Sequence, residues 1–87
     1  MDPIPRTRGE DNVTATFWLN KYAEEPEKVA ARAPHSTLTR HTDDPEVADV
    51  AFCDYARHTA WSRGYEVVWQ IEGEGTYRQT PIPDRYP

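Results

Sequence analysis

The sequence is poor in the features that mark secreted, disulfide-bonded or membrane-spanning proteins. Its 87 residues include one cysteine, Cys53, so no disulfide can form within the chain. No apolar run approaches the roughly 20 residues that a membrane-spanning helix needs, and the first residues lack the charged start and apolar stretch of a secretion signal. A lone cysteine is typical of reducing compartments. We therefore expect a cytoplasmic protein that does not enter a membrane.

Basic residues are also scarce, and they form no run. Lys and Arg number 10 against 15 Asp and Glu, which gives a net charge of −5. Proteins that bind nucleic acids usually carry a basic stripe that displaces counterions from phosphates, so we expect no direct nucleic-acid binding. The acids form two groups instead: Glu24, Glu25 and Glu27, and Asp43, Asp44, Glu46 and Asp49. These are either solvated helix starts, where acids favour the helix dipole, or an acidic patch that docks on a basic protein surface or imitates phosphates.

Glycine, histidine and cysteine are too few and too scattered to predict a catalytic, cofactor or metal site. Gly73 and Gly75 flank Glu74 ahead of an extended segment, which predicts a hairpin turn and not a phosphate-binding loop. Structural zinc sites use ligand pairs, usually in two matched sets, and the candidate ligands do not supply them: His35, His41, Cys53 and His58. Ser62 follows His58 by one helical turn, but no nucleophile elbow surrounds it. We expect no catalytic residue, no cofactor and no bound metal.

Large apolar side chains are few, so the chain has to build a thin core. We expect one domain over residues 12–80, a flexible arm over residues 1–11, and a tail over residues 81–87 whose prolines cannot keep a hydrogen-bonded ladder. The aromatic share of 11% favours a folded chain. The side chains expected in the core are Phe17, Trp18, Leu19, Leu38, Phe52, Tyr55, Tyr65, Trp69 and Ile71.

Two segments, residues 12–22 and 65–72, alternate with the period of a strand. The apolar faces of these segments are Val13, Ala15, Phe17 and Leu19 in the first, and Tyr65, Val67, Trp69 and Ile71 in the second. Residues 35–42 and 76–80 predict two shorter strands, and Pro26 opens either a short helix over residues 26–33 or a structured loop. We expect an α+β fold, in which a small, mostly antiparallel sheet of three to four strands carries its helices on one face.

The clearest element is a helix over residues 45–63. Asp44 suits the N-cap, Pro45 the first helical position, and Gly64 the left-handed stop. At about 100° per residue, the predicted core-facing stripe is Ala48, Ala51, Phe52, Tyr55, Thr59 and Ser62. The opposite face carries Val50, Asp54, Arg57 and Trp61. We predict that Arg57 and Trp61 anchor a partner, because Trp and Arg contribute a large share of the binding energy at protein interfaces.

Surface recognition is the activity for which the sequence supplies most candidates. Trp18 falls on the polar face of the first strand and Val68 on the polar face of the third. Together with Gln70 they predict an exposed aromatic patch, which Arg78 could join. Either Trp18 or Trp61 could instead be covered by a tail or by residues 24–33. The predicted partner-binding residues are Asp43, Asp44, Glu46, Asp49, Arg57, Trp61, Trp18, Val68 and Gln70.

Residues 39–71, TRHTDDPEVADVAFCDYARHTAWSRGYEVVWQI, resemble the strand, capped helix, glycine and strand that form the core of many small phage-encoded accessory proteins. Some of these are anti-CRISPR proteins, which are similarly short, often acidic, and act by occupying a surface of a host complex. The resemblance covers roughly a third of the chain and rests on pattern, so it carries over no functional residue. It implies an inhibitor that works by binding.

We therefore expect a non-enzymatic protein-binding module, an inhibitor of a host or CRISPR-type defence complex. Its acidic patches and exposed tryptophans would contact a partner with a basic surface. Two other classes stay open. A structural subunit of a virion or another assembly would form a stable oligomer. A small enzyme or ligand-binding protein would gather His58, Ser62 or Cys53 with an acid in a closed pocket.

Overall fold

The computed structural model describes residues 12–82, which form a four-stranded antiparallel sheet and two helices. The elements in chain order are β1 (Asn12–Asn20), α1 (Pro26–Ala30), β2 (Ser36–His41), α2 (Pro45–Arg63), β3 (Glu66–Ile71) and β4 (Arg78–Thr80). The predicted α+β fold is confirmed, with its main helix over residues 45–63 and a second, short helix. The predicted arm over residues 1–11 and the last five residues of the predicted tail lie outside the described residues.

The strand order is β2-β1-β3-β4, and every neighbouring pair is antiparallel. Strand β1 therefore lies inside the sheet, and α2 carries the chain from β2 across β1 to β3. Phe17 on β1 lies opposite Ser36 of β2 on one side and opposite Trp69 of β3 on the other. Because successive side chains of a strand point to opposite faces, β1 presents large residues to both faces of the sheet, and both faces need cover.

Helix α2 begins and ends where its sequence predicts. Asp44 accepts a hydrogen bond from the peptide N–H of Glu46 at 3.0 Å, and Pro45 lies in the first turn, where a missing N–H leaves no bond unmade. At the other end Gly64 has a φ of 79° and donates its N–H to the carbonyl of Ala60 at 2.9 Å. A residue with a Cβ is strained in that left-handed conformation, so glycine at position 64 fixes where the helix stops.

The face of the sheet that packs on α2, the inner face, is built around an aromatic cluster. Phe17 stacks on Trp69 with ring centroids 5.7 Å apart and meets Tyr55 edge-on at 4.8 Å. Phe52 contacts Phe17 and Trp69, in each case with ring centroids 6.1 Å apart. The helix comes this close because small side chains line its buried stripe: Ala48, Ala56 and Ala60. The inner face is therefore the main core of the domain.

The predicted buried stripe of α2 is partly right. It is confirmed at Ala48, Phe52 and Thr59, which are buried. It is wrong at Ser62, which is exposed, because Ala56 and Ala60 face the sheet instead. Tyr65 is also exposed where the sequence predicts a core position, and the Lys21 ammonium lies over its ring at 5.6 Å from the centroid.

The opposite or outer face of the sheet is covered by α1. Val29 of α1 packs against Trp18 and Val68, and these buried side chains form a second, smaller cluster. The indole Nε1 of Trp18 donates to the carbonyl of Arg32 at 3.0 Å, and Tyr77 meets the indole edge-on at 6.3 Å. The expectation that the helices share one face is therefore wrong. Trp18 and Val68 are cross-strand partners, and this apolar pair on the outer face requires its own cover.

Strand β1 ends two residues earlier than predicted, because Asn20 starts a closed turn. The buried amide of Asn20 donates to the Glu24 carbonyl and accepts from the Glu24 N–H, both at 2.9 Å. Within the same turn Ala23 adopts a left-handed φ of 52°. Asn20 thus satisfies two backbone groups of the turn that leads from β1 into α1.

Replacing Val29 with alanine should lower the free energy of unfolding by about 2 kcal/mol, because two methyl groups leave a buried site. Val29 is 1% exposed, whereas Val47 in α2 is 53% exposed. Val47→Ala is therefore a matched control that should change the free energy of unfolding by less than about 0.5 kcal/mol. Urea unfolding followed by tryptophan fluorescence measures both. Equal effects of the two substitutions would contradict the placement of α1 on the outer face.

Candidate functional site

A groove opens at the end of the sheet where α2 begins. Its volume is about 380 Å³. The lining residues come from β1, α2, β3, β4 and the β3–β4 turn, and they are Val13, Pro45, Glu46, Asp49, Val50, Ile71, Glu74 and Arg78. Half of them are apolar and half are charged, so the groove combines an aliphatic surface with a charged one.

The sheet register brings these residues together. Ala15 lies opposite Ile71, so the start of β1 and the end of β3 reach the same end of the sheet. Val13 and Ile71 both belong to the inner-face core. Helix α2 begins at Pro45 over this end, and its first turns cover Ile71 but leave Val13 half-buried. The groove is the space that remains where α2 has only just begun.

Arg78 is the one cation among the lining residues, and two carboxylates hold it. Its guanidinium pairs with Asp49 and, at 3.3 Å, with Glu74. It also lies over the ring of Trp69, 5.1 Å from the centroid. Arg78 and Trp69 are cross-strand partners in β3 and β4, so the ladder itself places the cation on the ring. Asp49, predicted to bind a partner, therefore already has a partner within the chain.

The groove nevertheless keeps an excess of negative charge. Its lining holds three carboxylates, of Glu46, Asp49 and Glu74, against the single guanidinium of Arg78. Glu46 is exposed, and within residues 12–82 no side chain pairs with its carboxylate. An apolar wall beside such carboxylates lowers the local dielectric and strengthens their attraction for a cation.

The predicted acidic residues of the 43–49 segment do lie together at this end of the molecule. Glu46 and Asp49 line the groove, whereas Asp44 caps α2 and Asp43 is exposed beside it. The other acidic group lies in the turn before α1 and within α1, and Glu24 there pairs with Arg32 at 2.6 Å. Of that group, Glu27 lines a smaller cavity of about 300 Å³ beside Pro26 and Tyr77. The group at the start of α2 contributes two carboxylates to the larger groove of about 380 Å³.

The predicted exposed patch around Trp18 is wrong, whereas the alternative, in which residues 24–33 cover Trp18, is confirmed. Trp18 is 8% exposed and Val68 is fully buried, since α1 and Tyr77 cover them. The amide of Gln70 donates to the carbonyl of Glu74 at 2.9 Å and so serves the β3–β4 turn. Trp18, Val68 and Gln70 are therefore neighbours, as predicted. Trp18 and Val68 are buried in the core and so are not available to a partner.

Arg57 and Trp61 lie where the sequence predicts, on the exposed side of α2. Trp61 is 45% exposed and Val50, about three turns before it, is 64% exposed. Val50 also lines the groove. The exposed row of α2 that contains Val50, Arg57 and Trp61 therefore runs from the groove toward the other end of the helix.

Of the eight groove residues, the sequence predicts two as partner-binding, Glu46 and Asp49. It does not predict the other six as such: Val13, Pro45, Val50, Ile71, Glu74 and Arg78. Val13 and Ile71 carry only the alternation that predicts core. Glu74 is interpreted as a turn residue between two glycines. Arg78 reaches Asp49 because the β3–β4 register sets Arg78 opposite Trp69 and α2 packs against β4. The three-residue β4 is too short for its sequence to reveal that register.

Cys53 and Ser62 are the remaining candidate nucleophiles, and neither lines the groove. Burial raises the pKa of the Cys53 thiol, and the nearby Asp49 carboxylate raises it further, which disfavours the thiolate. The Ser62 hydroxyl donates to the Thr59 carbonyl at 3.4 Å. Residues 12–82 hold no cluster of three or more potential metal ligands, and no helix among them has the length and apolar character needed to cross a bilayer.

Comparison with known proteins adds no relative to this picture. No protein-family model matches the sequence, and neither a curated protein nor a solved structure is significantly similar to it. The groove and the residues around it are therefore the features of this chain that bear on function.

The Asp49–Arg78 pair should have a small but measurable coupling energy. In a double-mutant cycle with Asp49→Asn and Arg78→Gln, we expect about 0.5–1 kcal/mol, because both side chains are partly exposed. Added salt should reduce the coupling through screening. The same cycle with Asp54→Asn, an exposed acid elsewhere on α2, should give no coupling. If neither acid is coupled to Arg78, then Asp49 and Arg78 do not form an ion pair in the groove.

Proposed function

We propose that this protein is a non-enzymatic binding module that occupies a basic surface of a partner protein. The observation that carries the proposal is the groove at the start of α2, where an aliphatic wall adjoins an excess of carboxylates. Partner surfaces that fit it present cations next to apolar groups. Complementary charge of this kind accelerates encounter and selects the partner and its orientation.

Inhibition by blockade is the mechanism that this arrangement supports best. A basic surface that would otherwise bind nucleic acid or another acidic ligand is made inaccessible when an acidic protein covers it. The sequence resemblance to small phage-encoded accessory proteins directs the choice of partner toward a host complex, and a CRISPR-type defence complex is the class we propose first. The cytoplasm is the compartment in which such a contact would form.

The acidic end of α2 supplies the charge in this proposal, and the exposed row of the same helix extends the contact. Asp43 and Asp44 lie beside the groove at the helix start. Val50 joins the groove to the side of α2 that carries Arg57 and Trp61. Trp and Arg are residue types enriched among interface hot spots, so Arg57 and Trp61 are the expected anchors of this extension.

Neutralising the acids at the start of α2 should weaken partner binding about tenfold or more. The variant carries Asp43→Asn, Asp44→Asn, Glu46→Gln and Asp49→Asn; asparagine at position 44 preserves the N-cap. Proteins retained by the immobilised full chain from a bacterial lysate are identified by mass spectrometry. The affinity of the purified partner for the wild type and the variant is then measured as a function of salt.

The matched control neutralises four acids outside the groove, through Glu25→Gln, Glu27→Gln, Asp54→Asn and Glu66→Gln. It changes the net charge of the chain by the same amount, so general electrostatic attraction affects both variants alike. Thermal unfolding shows whether each variant is folded at the temperature of the assay. Equal affinity and equal salt dependence of the wild type and the groove variant would contradict the proposed function.

A further inference from the structure

The groove is large enough to take one long side chain of a partner. Its volume of about 380 Å³ lies near the lower end of the range found for small-molecule sites. Its apolar lining is aliphatic: Val13, Pro45, Val50 and Ile71. A side chain that fills it needs a long apolar stem to contact these residues and a cationic head to meet the carboxylates.

Two side chains have that character, and the groove favours arginine over lysine. The guanidinium is planar, weakly hydrated and able to hold two carboxylate contacts at once, whereas the lysine ammonium is compact and strongly hydrated. The chain itself shows a guanidinium held at the groove in this way. Arg78 pairs with Asp49 and Glu74 while its planar head lies over the ring of Trp69.

A second cation would find a carboxylate that is not already engaged. Asp49 and Glu74 share the charge of Arg78, but the exposed Glu46 has no ion-pair partner within residues 12–82. Glu46 lines the groove one turn before Val50, an aliphatic residue that is 64% exposed. The carboxylate of Glu46 and the aliphatic side chain of Val50, which would contact the stem of the cationic side chain, are therefore adjacent on α2.

We propose that the groove is the seat for one arginine side chain of the partner protein. The stem of that arginine packs on Val13, Val50 and Ile71, and its guanidinium pairs with Glu46 and the carboxylates that surround Arg78. This inference rests on the proposed function and deepens it, because it names the residue type that the acidic end of α2 recognises.

The test uses the full chain with isotope-labelled valine and isoleucine methyl groups and a short probe, the peptide acetyl-Leu-Arg-Leu-amide. The sequence has three isoleucines, so the Ile71 signal is easily assigned. Titration should shift the methyl signals of Val13, Val50 and Ile71 and leave those of the buried Val29 and Val67 unchanged. A dissociation constant of about a millimolar is expected for so small a ligand.

Chemical controls isolate the guanidinium. The same peptide with citrulline, a neutral isostere of arginine, should bind about tenfold more weakly, and the lysine peptide several-fold more weakly, because each loses planar charge-assisted hydrogen bonds. Glu46→Gln should weaken the arginine peptide about tenfold as well. Glu27→Gln, an exposed acid on α1, should leave its binding unchanged.

Several results would overturn the arginine seat. If the citrulline peptide binds as tightly as the arginine peptide, the binding is due to apolar contact alone. If the lysine peptide does so, the groove attracts any cation and does not select the guanidinium. If substitution of Arg6→Gln and Arg8→Gln shifts the groove methyl signals without peptide, one of the chain's own arginines occupies the groove. Signals that move with protein concentration would assign it to a second copy. If the peptide fails while the groove variant still loses the captured partner, the proposed function stands and the seat alone is wrong.

Discussion

Strand β1 must be covered on both faces, and the rest of the structure follows from that constraint. Strand β1 lies between β2 and β3, with Phe17 on the inner face of the sheet and Trp18 on the outer face. The long helix α2 covers the first, and the short helix α1, through Val29, covers the second. A chain with few large side chains thus divides them between two clusters, and none of the aromatic residues of β1 remains for recognition.

The position of the groove is a consequence of the same arrangement. Helix α2 crosses the inner face from β2 to β3 and begins at Pro45, so its first turn lies at the edge of the core. The acids that favour a helix start collect there, next to Val13 and Ile71 of the sheet. Acids that stabilise the start of α2 therefore lie next to aliphatic residues of the core, and the groove forms where the two sets meet.

Local rules were sufficient for much of the fold. The cap at Asp44, the stop at Gly64 and the alternation along β1 and β3 predict their elements within one or two residues. The outer cover was harder, because α1 has five residues and periodicity over so short a segment cannot show which face it packs on. For the same reason the alternation placed Trp18 on a polar face without showing that Val29 would bury it. The pairing of Arg78 with Asp49 depends on a long-range register, which no local pattern contains.

Burial of Trp18 under α1 is the feature on which the choice of the groove as the proposed contact surface depends. Hydrogen exchange of the indole N–H groups, followed by NMR, tests it directly. We expect the Trp18 indole, which donates to the Arg32 carbonyl, to exchange about a hundredfold or more slowly than in the urea-unfolded chain. The indole of Trp69, which donates to Thr80 Oγ1 at 3.3 Å, should be protected as well. A Trp18 indole that exchanges as fast as in the unfolded chain, while Trp69 stays protected, would show that α1 leaves the outer face open and would contradict the account.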